Sequence, residues 1–218
     1  SGNGRINNMP TIEQARAWYT DSDPVHDFDH VLRVYRMAER LAESEGADLT
    51  IIRAAALLHD AEGATPGHES RADHHHASAE FAAHILAAEG WDAARIAAVQ
   101  HCIRAHRYRG TEAPQTIEAQ ILFDADKLDV IGAIGAARVI GYATLAGTPW
   151  YAEPSQQFLE IGKEVEGEAH SAYHEHLFKL RKVRDRMFTV SARAIADERL
   201  KYLDGFFERL IDEWNGRR

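Results

Sequence analysis

The hydrophobic positions of this 218-residue chain recur with the period of an α-helix along almost its whole length. Between residues 31 and 42, for instance, apolar side chains return every three or four positions, and Gly46 then supplies a helix stop. No segment shows the two-residue alternation of a β-strand, and neither an internal repeat nor a low-complexity linker divides the chain. The pattern therefore predicts an all-α fold of the helical-bundle type.

Capping residues and glycines divide this pattern into ten predicted helices. The third of them is rich in alanine and leucine, begins at Asp48 or Thr50, and runs into His59 and Asp60. In chain order, we expect the helices at residues 11–19, 27 or 29 to 45, 48 or 50 to 60, 77–89, 92–106, 116–129, 133–145, 156–166, 173–187 and 190–214.

The charge and the cysteine content of the chain narrow its function. It carries 25 basic and 34 acidic residues, a formal net charge of −9, which argues against stable binding to nucleic acid or to an anionic membrane. Its one cysteine, Cys102, excludes an internal disulfide and fits a reducing cytoplasm. No apolar stretch approaches about 20 residues, so no membrane span is expected. We expect residues 1–10 to be a tag remnant and N-terminal tail, and residues 11–218 to form a single domain.

Residues that can bind a metal ion occur on three of the predicted helices. His59 and Asp60 are adjacent at the end of the third helix, where regular geometry breaks and both side chains can aim at a common point. His30 lies on the preceding helix and Asp126 on a later one, and ligands from several helices often converge inside a bundle. Four nitrogen and oxygen ligands without sulfur predict a nearly octahedral divalent site, and they leave Mn, Mg, Fe, Co, Ni and Zn all open.

Five segments of the chain resemble the HD-superfamily metal-dependent phosphohydrolases, whose ligands follow the order H…HD…D. The segments are residues 26–34, 55–60, 123–135, 175–180 and 189–213, and the last three are similar to a bacterial YedJ-like subgroup. The resemblance implies an all-helical HD domain with a C-terminal helical extension. It also implies that Asp126, which directly precedes the basic Lys127, is the last metal ligand rather than Asp124.

Further residues are candidates for catalysis or for substrate binding. Asp60 or Asp126 could accept a proton from the attacking water, and Lys127 could neutralise charge on the transferred phosphoryl group, although a salt bridge explains Lys127 equally well. His74 and His75 are expected at the surface. Some branches of the superfamily use two extra histidines for a second metal. The candidates for substrate or second-metal binding are His26, Arg33, His76 and His106.

These residues predict a phosphohydrolase that uses a metal-activated water to cleave a phosphoester or phosphoanhydride bond, with a nucleotide as the expected substrate. By resemblance, the reaction could convert a nucleoside triphosphate to monophosphate and pyrophosphate. Two alternatives stay open. A di-iron oxygenase of the same superfamily would need both extra histidines as ligands, and a non-catalytic module would bind a nucleotide without turnover. The amphipathic C-terminal helices could pair, so a homodimer is open as well.

Overall fold

The structure, a computed structural model, describes residues 8–19, 28–62, 74–107 and 112–218. These residues form ten α-helices and no β-strand, which confirms the predicted all-α fold. The helices are α1 (Ile12–Arg16), α2 (Phe28–Glu45), α3 (Leu49–Leu58), α4 (His74–Ala88), α5 (Ala93–Ala105), α6 (Ile117–Leu128), α7 (Gly132–Ala146), α8 (Gln156–Ile161), α9 (Ala172–Phe178) and α10 (Val190–Trp214).

Two compact units divide the chain, Ser1–Asp126 and Lys127–Arg218. In the first unit α3 is central, because it packs against α1, α2, α4 and α5. Seven of its ten residues are buried, as expected for a helix that is apolar on nearly every side. The end of α3, which leads into His59 and Asp60, therefore lies inside this unit. The largest fully buried side chains of the unit come from α2 to α6: Leu41, Ile52, Leu57, Leu58, Leu86, Ile103, Ile121 and Leu122.

The second unit is built on α10, which has the bounds that the sequence predicts. α7 packs against both α9 and α10. Asp129, at the start of this unit, pairs with Arg138 of α7 at 3.1 Å, which gives both charged groups a partner. The face that α10 buries consists of Ala192, Ala196, Leu203 and Phe207.

The α8 helix is shorter than the predicted helix at 156–166. It ends at Ile161 because Gly162 turns the chain with a φ of +67°. A Cβ atom at Gly162 would also collide with the ring of Phe178. Glycine is therefore required at this position for both the backbone conformation and the packing.

The segment predicted as one helix at 173–187 is also interrupted. α9 ends at Phe178, and the chain continues as two 3₁₀ turns that carry Arg181 and Arg184. Arg181 pairs with Asp204 at 2.8 Å and Arg184 with Asp197 at 2.9 Å, and both acidic partners belong to α10. These pairs connect the two turns to α10.

None of the described helices is by itself long and apolar enough to cross a membrane. α6 and α7 reach that length and composition only when they are taken together as a bent pair. α3 is also apolar, but it has only ten residues.

We expect Leu41→Ala to lower the free energy of unfolding by about 3 kcal/mol, because the substitution leaves a cavity beside a fully buried position of α2. Leu145→Ala is the matched control. Leu145 is 71 % exposed on α7, so its removal should change the free energy by less than about 0.5 kcal/mol. Urea denaturation followed by circular dichroism measures both effects, and equal losses would contradict the core described for the first unit.

Candidate metal centre

In the turn that follows α3, one ring nitrogen of His59 has no hydrogen-bond partner among the described residues. His59 is the C-cap residue of α3 and is fully buried. Its Nδ1 lies 2.8 Å from the carbonyl oxygen of Ala56, and because a carbonyl only accepts, Nδ1 carries the ring proton. Nε2 is therefore unprotonated in the neutral ring, and it has no hydrogen-bond partner among the described residues. Such a nitrogen, with its tautomer fixed by the backbone, is suited to bind a metal ion.

His30 of α2 and Asp126 of α6 meet this turn. His30 Nε2 lies 3.3 Å from Asp126 Oδ1 and 3.9 Å from Asp60 Oδ2, and His59 Nε2 lies 3.5 Å from the same Asp60 oxygen. In an octahedral site with metal–ligand distances of about 2.1 Å, neighbouring ligand atoms are about 3 Å apart, so these spacings suit an ion between them. The structure thus brings together the four residues that the sequence predicts as metal ligands.

A second pair of histidines faces the other oxygen of Asp60. His74 Nε2 lies 3.3 Å and His106 Nε2 lies 3.5 Å from Asp60 Oδ1. His106 is the C-cap residue of α5, and its Nδ1 donates to the Ile103 carbonyl, which repeats the arrangement at the end of α3. Asp60 Oδ1 is buried and has no hydrogen-bond partner in the described part of the chain. The carboxylate of Asp60 is therefore shared between two groups of imidazoles.

Each of these two groups could hold a divalent ion. The ligand atoms of His30, His59 and Asp60 lie within 4.8 Å of one another, and so do those of Asp60, His74 and His106. Both groups contain only nitrogen and oxygen donors, which suit first-row divalent metals. The orphaned His59 Nε2 and Asp60 Oδ1 fit this assignment, because buried polar atoms normally have partners.

The protonation states inside the site also suit metal binding. Burial alone would raise the pKa of Asp60, but the imidazoles of His59, His106 and His74 outweigh it and hold that pKa well below its usual range. Burial lowers the pKa of His59 to about 4, and the charge of Asp60 opposes that shift only in part. At neutral pH the site therefore contains an ionised carboxylate and a neutral His59, which are the forms that bind metal.

The structure corrects one predicted residue of the site: His74 meets Asp60, whereas His76 is exposed to solvent. α4 begins at His74, three residues before its predicted start, so positions 74 and 76 lie about 200° apart around the helix. Two i, i+4 rows of α4 show the difference: the inward row is His74, Ser78 and Ala82, and the exposed row is His76, Glu80 and His84. The exposed row places His76 away from the site.

His75 was also expected at the surface, and it is buried instead. Its ring lies 4.2 Å from that of His76 and 5.8 Å from that of His74, measured between ring centroids. Burial is the main reason that its pKa is lowered to about 4, and the neighbouring histidines and Arg107 add to the shift. The histidine run therefore contributes His74 to the site and places His75, buried and neutral, next to it.

The other predicted site residues stay predictions. Arg33 is partly exposed on α2, three residues after His30. Lys127 is partly exposed, and it follows Asp126 directly on α6. Asp124, on the same helix, is fully buried. His26 lies outside the described residues.

Comparisons with known proteins identify the family. Residues 27–131, a range that contains all six candidate ligands, match the HD domain family. The chain is 31 % identical to the uncharacterized protein YpgQ of Bacillus subtilis strain 168 over 93 % of both proteins. The crystal structure of Bacillus subtilis YpgQ in complex with ADP has a TM-score of 0.70 at 29 % identity, covering 93 % of this chain and 94 % of that one. An HD-superfamily hydrolase from Bacillus thuringiensis has a TM-score of 0.69 at 29 % identity, with 94 % and 96 % covered. The chain therefore belongs to the HD domain family.

Proposed function

We propose that this protein is a metal-dependent phosphohydrolase that cleaves a phosphoester or phosphoanhydride bond of a nucleotide. The observation that carries the proposal is the arrangement at Asp60, where each carboxylate oxygen faces its own pair of imidazoles. The HD-superfamily hydrolase with the same fold supports the reaction class, and the ADP complex of YpgQ supports a nucleotide as ligand. In its finer form, the proposal names a nucleoside triphosphate that is cleaved to monophosphate and pyrophosphate.

Two divalent ions would share Asp60 in this proposal. His30, His59 and Asp126 would hold one of them, and His74 and His106 would hold the other. When bound, such ions lower the pKa of coordinated water and polarise a phosphoryl oxygen. The donor set admits Mn, Mg, Fe, Co, Ni or Zn, because all of its atoms are nitrogen or oxygen.

The residues of the site divide the remaining work. The backbone carbonyls that receive the Nδ1 protons of His59 and His106 fix the direction of both rings before any ligand arrives. Asp60 directs one oxygen toward each imidazole pair, so its first role is that of a shared ligand. The side chains of Asp60 and Asp126 are similarly exposed, at 13 % and 15 %, so either carboxylate could accept a proton from the attacking water.

Substrate phosphates need positive charge near the site. The chain as a whole is acidic, with a formal net charge of −9, so its overall field does not attract a polyphosphate. In our proposal, the partly exposed Lys127 and Arg33 contribute that charge, because each is close in sequence to a candidate ligand. Either side chain could bind a phosphate oxygen, and arginine can do so with two parallel hydrogen bonds.

A di-iron oxygenase is the second candidate, since the two imidazole pairs at Asp60 provide the extra ligands that it requires. The two candidates differ in what they consume. A phosphohydrolase releases phosphate or pyrophosphate without oxygen, whereas an oxygenase consumes dioxygen and is active only with iron.

A screen of nucleoside mono-, di- and triphosphates with each divalent metal tests the proposed function. We expect turnover under anaerobic conditions, identified by the phosphate product, and a loss of at least about 100-fold in Asp60→Asn because one residue serves both groups. Asp185→Asn is the control, since Asp185 is exposed in the second unit. Full activity in Asp60→Asn, or oxygen uptake without phosphate release, would refute the phosphohydrolase proposal.

The number of bound ions tests the role of His74. After loading with Mn²⁺ and removal of free metal, elemental analysis should find two ions per chain in the parent protein and one in His74→Ala, which lacks a ligand of the second group. His76→Ala provides a control two residues away on the same helix, and it should keep both ions because His76 is exposed. If the two variants retain the same amount of metal, the second group is not a binding site.

A further inference from the structure

The last three carbonyls of α3 bind three different donors. The final carbonyls of any α-helix lack partners within the helix. Here, Ala56 O accepts from Nδ1 of His59 at 2.8 Å, and Leu58 O accepts from the backbone N–H of Ala61 at 3.3 Å. The Ala61 N–H thus donates to the carbonyl three residues earlier, and not to Leu57 O four residues earlier as in a regular α-helix. Leu57 O therefore binds another donor. That donor is distant in sequence: the hydroxyl of Tyr19, 2.9 Å away.

Tyr19 lies at the end of the N-terminal segment, just after α1, and α1 packs on α3. Its ring packs against Phe28, the first residue of α2, with 5.5 Å between the ring centroids. Burial, and then the negative charge of Asp60, raise the pKa of Tyr19 well above its usual value. The protonated hydroxyl is the form that donates to Leu57 O.

Other contacts hold the N-terminal segment in place. In this segment, residues 8–19, Trp18 precedes Tyr19 and packs edge-on against Phe81 of α4, with 5.6 Å between the ring centroids. The indole N–H of Trp91 donates to the carbonyl of Asn8 at 3.3 Å. The segment is therefore fixed to α4 and to the turn before α5 independently of the Tyr19 hydroxyl. Removal of that hydroxyl alone should leave the segment where it is.

We propose that Tyr19 is a positioning residue of the metal centre. Its hydroxyl holds the Leu57 carbonyl, and thereby the turn in which His59 and Asp60 leave α3, in the orientation that points both ligands at the same ion. The two neighbouring carbonyls are bound by groups of the turn itself, so among these three carbonyls the Leu57 carbonyl is the one held by a residue distant in sequence. Farther along the turn, Ser78 of α4 binds the backbone of Glu62. The inference rests on the proposed function only in that the site binds a divalent metal.

Tyr19→Phe tests this role, because phenylalanine keeps the ring that packs on Phe28 and removes only the donor. Mn²⁺ binding to metal-free protein, measured by titration calorimetry, should weaken about tenfold, a loss typical for groups that orient metal ligands. The visible spectrum of bound Co²⁺ should change as well, since it reports the geometry of the ligands. Tyr202→Phe is the matched control: Tyr202 is 56 % exposed on α10, and both readouts should equal those of the parent protein.

The possible outcomes separate this inference from the proposed function. If the parent protein binds no divalent metal, the proposed function fails. If the parent binds Mn²⁺ and Tyr19→Phe binds it with the same affinity and the same Co²⁺ spectrum, only the inference about Tyr19 fails. Circular dichroism of the metal-free variant gives the folded fraction. A loss of affinity that merely follows a loss of folded protein would assign the hydroxyl to general stability and overturn the proposal.

Discussion

The site depends on one constraint: Nε2 of His59 and Nε2 of His106 lie close to the two carboxylate oxygens of Asp60. Backbone carbonyls accept from Nδ1 of His59 and of His106, so in the neutral form of either ring Nε2 is an acceptor. These atoms lie 3.5 Å from the two oxygens of an ionised carboxylate, which are acceptors too. Acceptors this close repel one another in a buried site unless a cation lies between them. The arrangement therefore offers two places, one beside each oxygen of Asp60, where a cation could be held.

The helices satisfy this constraint mainly at their ends. His59 and His106 are both C-cap residues that donate to the carbonyl three positions earlier, and His74 occupies the first turn of α4. Helix ends leave backbone groups without partners. Two of these groups, the carbonyls of Ala56 and Ile103, orient the candidate ligands His59 and His106. Burial of α3 on nearly every side places its end in the interior, where a small change in the turn would move two ligands at once.

Local sequence signals were sufficient to predict the fold class and most helix positions, and together with the family resemblance they selected the four residues that meet beside Oδ2 of Asp60. The periodicity of α10 and the sequence of His59 and Asp60 at the end of an apolar helix are such signals. The two missed helix ends differ in kind. The early end of α8 falls at Gly162, a local signal that the prediction passed over, whereas the turns after Phe178 carry arginines that pair with distant residues of α10.

The error within the histidine run was avoidable. His74 lies in one i, i+4 row with Ser78 and Ala82, whereas His76 lies in one row with Glu80 and His84, and this difference in polarity is visible in the sequence. The prediction instead began α4 after the histidines, which removed them from the helical pattern. The role of Tyr19 could not be inferred in this way, because its contact with Leu57 spans 38 residues and involves a backbone carbonyl.

A crystal structure of the Mn²⁺-loaded protein, with anomalous difference maps, tests the central claim most directly. The account predicts two peaks, one among His30, His59, Asp126 and Oδ2 of Asp60, and the other among His74, His106 and Oδ1 of Asp60. A map with no peak beside either oxygen, or with Asp60 turned away from both imidazole pairs, would contradict it.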